Sequence, residues 1–470
     1  MKKSLICLIL VLVLTLPVFA GEGSFSVIYL PADDRPLHDE QMGLFADSLG
    51  VELIMPERSL YGRDPADHRE ELLSWLLSQK GDYYIVSLDS LLSGGLLESR
   101  EMTGETVWEE QVILRLKGFS EGKQGFFLDS LLRLASNVES EQELKTYNAT
   151  LDFARGLQTE APADYLAVRE RKLRLNLLAA KTLPGYLLGV DDSWEGETVQ
   201  RGELAQFREF VPPEQIFSTF DALPRLALAK LFLEETGQVP GVRVRYFGDQ
   251  TIIPTHNFES AEDMTNKTLQ FFGIEEGDDL EILILTEAVW GNSAIKAARE
   301  NQMRQLPTVL INLCPRQEGF EQAFLTLAPG QLLAYAGYGS SVNATHLGLS
   351  MGIARYAALG LGMENIPQQT RLLATLLADE FGYAAILEEV EAKARELGLD
   401  IYDFRRPFSE LEAFTLHKMR AKTRPVLCAL NKGGILTGVS PCRVTPAEPV
   451  SLTGGYFPWH RCFEYHGVIE

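Results

Sequence analysis

The sequence predicts an α/β protein built from parallel β/α units. Short apolar runs with little polar alternation recur along the chain, as expected for strands covered on both faces. Segments with helical spacing separate most of these runs, and strands connected by helices pair in parallel. The predicted strands are 25–31, 51–55, 83–88, 125–128, 185–190, 215–219, 242–247, 281–286, 307–313 and 331–336.

Helical patterns fit between these strands, for example at 67–79, 222–236, 260–273 and 344–361. We place a β/α domain at 21–363 and a helical insertion, with helices near 137–156 and 163–182, at 129–182. A helical region follows at 364–424. Residues 425–470 are rich in Gly, Pro and β-branched residues and predict a small β-rich appendage. We favour a barrel-like closure of the parallel units. Two doubly wound lobes with a cleft between them are the alternative, because the predicted strands outnumber those of a β/α barrel.

Residues 1–20 predict a signal peptide. Lys2 and Lys3 precede an apolar run from Leu5 to Leu16, and small residues precede Gly21 at a cleavage position. The run is shorter than the ~20 residues of a membrane-spanning helix, although an uncleaved anchor is the alternative. We therefore expect an extracytoplasmic protein that is secreted, periplasmic or on the cell-surface side, with no membrane contact after cleavage.

The charge excludes one large class of partner. The chain has 65 acidic and 43 basic residues and a net charge of −22, with no basic stripe. Such a chain repels phosphate backbones, so no nucleic-acid partner is expected. Cysteine spacing shows no Cys-x-x-Cys pair. A disulfide between Cys442 and either Cys428 or Cys462 stays open, and Cys314 is expected to be a buried thiol. The composition does not specify an oligomeric state.

Acidic and amide side chains recur directly after the predicted strands. The carboxyl ends of parallel strands share one face, and ligands bind there, so these side chains are expected to converge. An Asp after a strand also commonly caps the next helix, and we assign that role to Asp129 and consider it for Asp221. The residues in these positions are Asp33, Asp34, Asp89, Asp129, Asp191, Asp192, Asp221, Glu287, Asn312 and Asn343.

Adjacent acids are harder to explain as caps. In Asp191-Asp192, two neighbouring carboxylates repel each other, so one pKa tends to rise and the pair can supply an acid and a base. Trp194 follows closely and suits either stacking on a sugar or ordinary packing. We take Asp191 and Asp192 as the catalytic candidates.

Two further clusters suggest ligand contacts. In Asp33-Asp34-Arg35, the guanidinium of Arg35 can bind a ligand carboxylate or form a local salt bridge that shapes the loop. Asp89 is followed by Gly94 and Gly95, which permit a tight loop but lack the ending of a phosphate-binding loop. The seven histidines are scattered, which disfavours a zinc site. No organic cofactor is expected, and an acid-bound Mg²⁺ or Ca²⁺ stays open.

These segments together resemble an uncharacterised bacterial family, domain of unknown function 4127. Its Pro-Leu-Asp-Asp-Arg-Pro-like motif is similar to 31–36, and its Ser-Leu-Asp…Gly-Gly-Leu…Ser-Arg motif is similar to 87–100, ending at Arg100. A strand ending in Met-Arg resembles Leu132-Arg133, and a Pro-Trp-Asn-Arg-Thr-Phe-Glu-like stretch resembles 458–464. We take Asp33, Asp34, Arg35, Asp89, Gly94, Gly95, Arg100, Arg133, Asp221 and Asn343 as the substrate-binding candidates.

The chain departs from the family pattern in the later half of this site. Ala222 stands where the family tends to carry Glu, and Asn312 where it tends to carry Asp. Only Asn343 is kept from a Gly-Trp-Asn-Thr…Asn motif, which reads Gly337-Tyr338-Gly339-Ser340 here. The resemblance supplies no reaction.

Paired carboxylates suit glycoside cleavage, so we expect a carbohydrate-active hydrolase-like domain acting on a small-molecule or glycan ligand. The alternatives are a non-catalytic extracytoplasmic binding protein with a degenerate site, favoured by the departures at 222 and 312, and a metal-dependent hydrolase.

Overall fold

A computed structural model describes residues 25–62, 68–194, 196–337 and 343–470, and it confirms the α/β class. The proposed signal peptide at 1–20 lies outside the described residues. All ten predicted strands form. The strands are β1 (Ser26–Leu30), β2 (Glu52–Ile54), β3 (Tyr83–Ser87), β4 (Gln124–Leu131), β5 (Tyr186–Val190), β6 (Ile216–Phe217), β7 (Val242–Phe247), β8 (Leu280–Leu285), β9 (Thr308–Asn312), β10 (Ala334–Gly337), β11 (Ile435–Val439), β12 (Cys442–Thr445), β13 (Leu452–Tyr456) and β14 (His466–Ile469).

Helices connect most of the parallel strands, and further helices follow β10. Their bounds are α1 (Glu40–Ser48), α2 (Arg69–Ser78), α3 (Leu88–Ser93), α4 (Leu96–Ser99), α5 (Val107–Ser120), α6 (Leu144–Ala154), α7 (Tyr165–Thr182), α8 (Val199–Phe207), α9 (Leu223–Thr236), α10 (Ala261–Phe272), α11 (Gly291–Arg304), α12 (Glu318–Phe324), α13 (Ala344–Leu361), α14 (Ile366–Ala378), α15 (Leu387–Glu396) and α16 (Ser409–Gly433).

The ten parallel strands form two open sheets. The first sheet has the order β2-β1-β3-β4-β5-β6 and the second the order β10-β9-β8-β7, and every neighbouring pair in both sheets is parallel. The order of the first sheet reverses between β1 and β3, a topological switch point of the kind at which open α/β sheets bind ligands.

The barrel-like closure favoured from the sequence does not form within the described residues. Closure requires the strands to pair around a full circle. Instead, β6 and β7 are edge strands of different sheets and do not pair with each other. The arrangement corresponds to the alternative of two lobes, each with buried side chains on both faces of its sheet.

One hydrophobic cluster joins the two sheets. It contains Tyr29 and Leu128 from the first sheet and Ile284 and Ile311 from the second, all fully buried. Helices α9 and α13 pack against each other and contribute to the same cluster. The outer face of each sheet has its own cluster.

Helices α6 and α7 lie between β4 and β5, in the segment that we assigned to a helical insertion, and two antiparallel hairpins, β11-β12 and β13-β14, lie in the C-terminal segment. Helix α16 runs past 425 to Gly433, although 425 was the expected start of the β-rich segment. Val426, Leu427 and Leu430 continue the buried stripe of the helix, and this outweighs the helix-breaking effect of Pro425.

The four cysteines in the described part, Cys314, Cys428, Cys442 and Cys462, are free thiols. Within that same part, no helix combines the length and apolar character needed to cross a membrane.

Candidate functional site

A polar cleft of about 410 Å³ lies at the carboxyl ends of the first sheet. Its volume falls within the ~300–1,000 Å³ typical of small-molecule sites. Loops after β1, β4, β5 and β6 contribute Arg35, Arg133, Asp191 and Asp221, respectively. Of the acids expected to converge after parallel strands, Asp191, Asp192 and Asp221 line this cleft.

Four arginines line the cleft: Arg35, Arg100, Arg133 and Arg461. Arg133 donates from Nε to the carbonyl oxygen of Ala135 at 3.0 Å and from Nη2 to that of Ser136 at 2.6 Å. Its closest carboxylate contact is Nη1 to Asp192 Oδ2, at 3.8 Å. Burial, followed by repulsion from Arg100, lowers the pKa of Arg133 to about 10, so it is still cationic at neutral pH.

Asp191 and Asp192 both face the cleft but in different environments. The Asp191 side chain is 14% exposed and forms an ion pair with Arg100, whereas the Asp192 side chain is 39% exposed. Burial raises the pKa of Asp191; Arg100 opposes this shift, and the charge of Asp192 adds to it. The sequence argument expected one raised pKa in this pair, although burial contributes more than repulsion.

Behind the cleft, Asp33 holds two cationic side chains. Its carboxylate accepts from Arg35 Nε, at 3.1 and 3.0 Å, and lies 2.9 Å from His38 Nδ1. Arg35 in turn donates from Nη2 to Asp221 Oδ1 at 2.8 Å, and His38 Nε2 lies 3.4 Å from the same oxygen. Arg35 thus joins the ends of β1 and β6.

The charges of this cluster shift the pKa values of its members. Burial disfavours a charged imidazole, but Asp33 and Asp221 outweigh it and raise the pKa of His38 to about 9. Burial alone would raise the pKa of Asp221, yet Arg35 and His38 hold it well below its usual range. Asp221 is therefore a carboxylate at neutral pH.

The C-terminal appendage forms one wall of the cleft through Trp459 and Arg461. The Arg35 guanidinium lies 5.1 Å and the Arg461 guanidinium 4.5 Å from the centre of the Trp459 ring, within cation–π range. The indole Nε1 donates to Asp34 Oδ1 at 2.6 Å. This wall is fixed in position by loops from the opposite end of the chain.

Left-handed backbone conformations occur at and beside the cleft in residues other than glycine. Asp192 has φ 33°, and Trp459 has φ 56°. His256, whose Nδ1 lies 4.0 Å from Asp192 Oδ1, has φ 61°. Each such residue costs ~1–3 kcal/mol, and these conformations concentrate at functional sites. The backbone conformations therefore indicate the same candidate site as the side chains do.

Residues 27–153 match the family described as protein of unknown function, DUF4127. This confirms the resemblance over that segment, which is less than a third of the chain. The chain has no match among curated proteins or among solved structures.

The DUF4127 segment supplies three of the four cleft arginines, Arg35, Arg100 and Arg133. The carboxylates Asp191, Asp192 and Asp221 and the Trp459 wall all lie outside the matched residues. The site is therefore shared between the DUF4127 segment and later parts of the chain.

Two acids predicted from strand ends form a buried cluster away from the cleft. Lys172 Nζ on α7 lies 2.8 Å from Asp89 and 2.6 Å from Asp129. All three side chains are almost completely buried, and Tyr186 donates to Asp129 at 2.9 Å. The capping role assigned to Asp129 is wrong, because β4 continues through this residue to Leu131.

Other predicted residues lie near the cleft without lining it. Asp34 faces an adjoining cavity and holds Trp459. Gly94, at φ 88°, ends α3, and Gly95 precedes α4, whose Leu96 and Leu97 do line the cleft. Asn343 is the N-terminal flanking residue of α13 and is buried. Tyr338, Gly339 and Ser340 lie outside the described residues.

Several lining residues were absent from the predicted site. Trp459 and Arg461 belong to the 458–464 motif, which the sequence marked as a resemblance without assigning it to the site. Asn137, Glu139 and Tyr147 come from the helical insertion. His38 carried no signal beyond its closeness to the Asp33-Asp34-Arg35 motif.

The arrangement combines carboxylates, arginines and aromatic rings in one cavity. Such a lining can hold a polyhydroxylated ligand through hydrogen bonds to charged groups and contact with the aromatic faces. The described residues include no group of three or more His, Cys, Asp or Glu side chains positioned to hold a metal ion.

Proposed function

We propose that the protein is an exported carbohydrate-active hydrolase that works in this cleft, with Asp191 as the proton donor and Asp192 as the second carboxylate. The observation that carries the proposal is the placement of two adjacent carboxylates on one cavity, one buried and one partly exposed. Environments that push two pKa values apart separate an acid from a base. Glycoside cleavage requires that division of roles.

The contacts of each group support these roles. The raised pKa of Asp191 favours a carboxyl group that retains a proton to give to a leaving oxygen. Asp192, more exposed, is accessible to a water molecule or a sugar carbon. Arg133 and Arg100 offer donors to ligand oxygens, and Trp459 offers an aromatic surface. No organic cofactor and no nucleic-acid partner enter this proposal.

Asp192→Asn tests the catalytic assignment. We expect secreted residues 21–470 to release reducing ends from a saccharide in a panel of cell-wall and plant glycans. The variant should lose about 10²- to 10⁴-fold in rate, the usual contribution of an acid–base group, while still binding the saccharide. Asp152→Asn on α6, outside the cleft lining, is the matched control. Equal rates for Asp192→Asn and the control would contradict the proposal.

The pH profile tests Asp191 separately. Because Asp191 must be protonated to act, the wild-type rate should fall as the pH rises through its raised pKa. Asp191→Asn should be slow at every pH and lack this basic limb. An unchanged limb in the variant would assign the titration to another group.

A non-catalytic binding protein is the second candidate, and the Asp191–Arg100 ion pair favours it, because Arg100 stabilises the charged carboxylate. Thermal unfolding against saccharides and divalent ions separates the two, since a ligand of the folded state raises the midpoint. A saccharide that stabilises the wild-type protein and is never cleaved would favour the binding protein. Stabilisation by Mg²⁺ or Ca²⁺ alone would favour a metal-dependent hydrolase.

A further inference from the structure

A second cavity, of about 580 Å³, adjoins the cleft. Glu139 and Trp459 line both cavities, so the two spaces meet at these side chains. No residue of the second cavity other than Asp34 was in the predicted site. Its volume is again within the range of small-ligand sites.

Trp459 stands between the two spaces and is held from both sides. On the side of the second cavity, its Nε1 donates to Asp34, and on the side of the cleft, Arg35 and Arg461 lie against its ring. His460 follows with φ 52°, so two consecutive residues of this wall are left-handed. A wall held in this way presents a fixed aromatic edge to both cavities.

The two cavities differ in charge. Among the described residues, the cleft has four arginines against four carboxylates, Asp191, Asp192, Asp221 and Glu139. Counted in the same way, the second cavity has two arginines, Arg58 and Arg405, against the four carboxylates of Asp34, Glu98, Glu139 and Asp403.

Contacts outside the lining reduce the positive charge of the second cavity further. Arg58 Nη1 lies 2.8 Å from Glu40 and 3.6 Å from Asp39, so its charge is offset. Tyr456 also lines this cavity. Its hydroxyl donates to Glu40 at 2.6 Å, and this hydrogen bond fixes the position of the ring. The excess of carboxylates in the second cavity therefore repels anions, and the cavity offers acceptors and an aromatic ring to an uncharged ligand.

The cleft lacks this excess of carboxylates, because its arginines and carboxylates balance. Arginine guanidinium groups bind carboxylates with two parallel hydrogen bonds. Arg461 donates from Nη2 to Glu464 at 2.7 Å, whereas Arg133 donates from Nε and Nη2 to backbone carbonyls. The Nη1 of Arg133 lies 3.8 Å from Asp192, its nearest carboxylate among the described residues. Arg35, Arg100 and Arg461 are paired with carboxylates, so Arg133 is the donor that the cleft offers to an anionic group.

We propose that the two cavities are consecutive subsites for one oligosaccharide, with a carboxylate-bearing sugar in the arginine-lined cleft and an uncharged sugar in the second cavity, on either side of Trp459. This inference rests on the proposed carbohydrate function and names its substrate class. Cleavage would then occur beside the acidic sugar unit, where Asp191 and Asp192 lie.

Binding calorimetry with defined sugars tests the proposal. The probes are glucuronate, a hyaluronan tetrasaccharide in which glucuronate alternates with N-acetylglucosamine, a galacturonate tetrasaccharide and a chitin tetrasaccharide. Asp192→Asn serves as the host protein, so that no probe is consumed. We expect the hyaluronan tetrasaccharide to bind at least 10-fold more tightly than glucuronate and than either other tetrasaccharide.

Arg405→Ala tests the second cavity directly, and Arg406→Ala is its matched control. Both arginines are exposed, but only Arg405 lines the cavity. Arg405→Ala should remove most of the gain of the tetrasaccharide over glucuronate without changing the affinity for glucuronate, and Arg406→Ala should change neither.

Each of the other possible results rejects one specific claim of the proposal. Glucuronate that binds while the tetrasaccharide gains nothing, or a gain that Arg405→Ala leaves intact, rejects the second subsite and leaves the proposed function standing. Equal affinity for the chitin or galacturonate tetrasaccharide rejects the charge assignment. A protein that binds no saccharide rejects the proposed function, and this inference falls with it.

Discussion

Asp33 is 4% exposed, and its carboxylate is occupied by Arg35 and His38. The sequence motif suggested a ligand contact, whereas the contacts make Asp33 a positioning residue for the two cations that meet Asp221. Sequence reasoning left a local salt bridge open as the alternative for this motif. The structure shows that salt bridge, together with the link to β6 that no local pattern could reveal.

The charge on His38 should make stability depend on pH. The pKa of His38 is raised from 6.5 to about 9. A raised pKa contributes stability that is complete below the unfolded value, about 6.5, and is lost as the pH rises through about 9. The shift corresponds to about 3 kcal/mol.

His38→Gln checks this by urea unfolding at several pH values. Because glutamine does not titrate, the difference in free energy of unfolding between wild type and variant should be large at pH ~6 and shrink by pH ~9.5. His417→Gln, on the later helix α16 and far from this cluster in sequence, is the control. A difference that stays constant with pH would show that His38 is neutral in the folded protein.

At the scale of elements, α13 depends on two glycines for its close approach to the second sheet. A Cβ at Gly352 would collide with Val309, and one at Gly348 would lie 2.6 Å from Ile311, both on β9. The same helix packs on α9 of the first lobe. The small residues therefore let one helix serve both sheets.

Gly352→Ala should destabilise the protein by about 1–3 kcal/mol, because overpacking forces backbone shifts. Gly360→Ala on the same helix is the control: Gly360 is exposed, and its nearest neighbour to an added Cβ is Val439 at 4.0 Å. That change should stabilise by up to about 1 kcal/mol through helix propensity. Chemical denaturation measures both, and similar effects for the two variants would contradict the packing of α13 on β9.

The elements themselves were largely predictable. Most of the ten parallel strands are apolar runs, and burial on both faces of a sheet requires that pattern locally. The edge strands β2 and β7 are the exceptions, since they are only partly buried and β7 alternates Val with Arg. Asp129 was misplaced because a buried acid in a strand is tolerated only with a partner such as Lys172, which lies on another element. The predicted end of α16 was wrong because Pro425 and the glycines after it indicate the end of a helix. The buried stripe that continues the helix is stabilised by tertiary packing, which the sequence pattern does not show.

At the scale of the whole molecule, the pairing of strands was beyond the sequence. The sequences of β6 and β7 do not indicate that these two consecutive strands belong to different sheets. Part of the cleft lining was predictable, because Asp191 and Asp221 follow predicted strands. Its Trp459 wall was not, because distant packing rather than a strand end places it there.

The shared core predicts that the two lobes unfold together. Leu116→Ala, on α5 and fully buried on the outer face of the first sheet, should cost ~2–5 kcal/mol. Because one cluster joins both sheets, the change should shift a single urea transition. Circular dichroism and tryptophan fluorescence, to which Trp290 beside the second sheet contributes, should show the same transition. Leu114→Ala, exposed on the same helix, is the control. Two separate transitions, with only one moved, would show independent lobes.

The Trp459–Asp34 hydrogen bond spans 425 positions of the chain. A ribosome makes the amino end first, so the motif around Asp34 and the strands of the first sheet emerge long before the residues that complete the cleft. Until the Trp459 segment docks, the growing chain has Arg35, Arg100, Arg133 and the aspartates of the cleft but neither Arg461 nor the aromatic wall. The cleft is thus completed only after residue 461 has been made, and a nascent chain or a fragment that stops short of residue 459 lacks this wall.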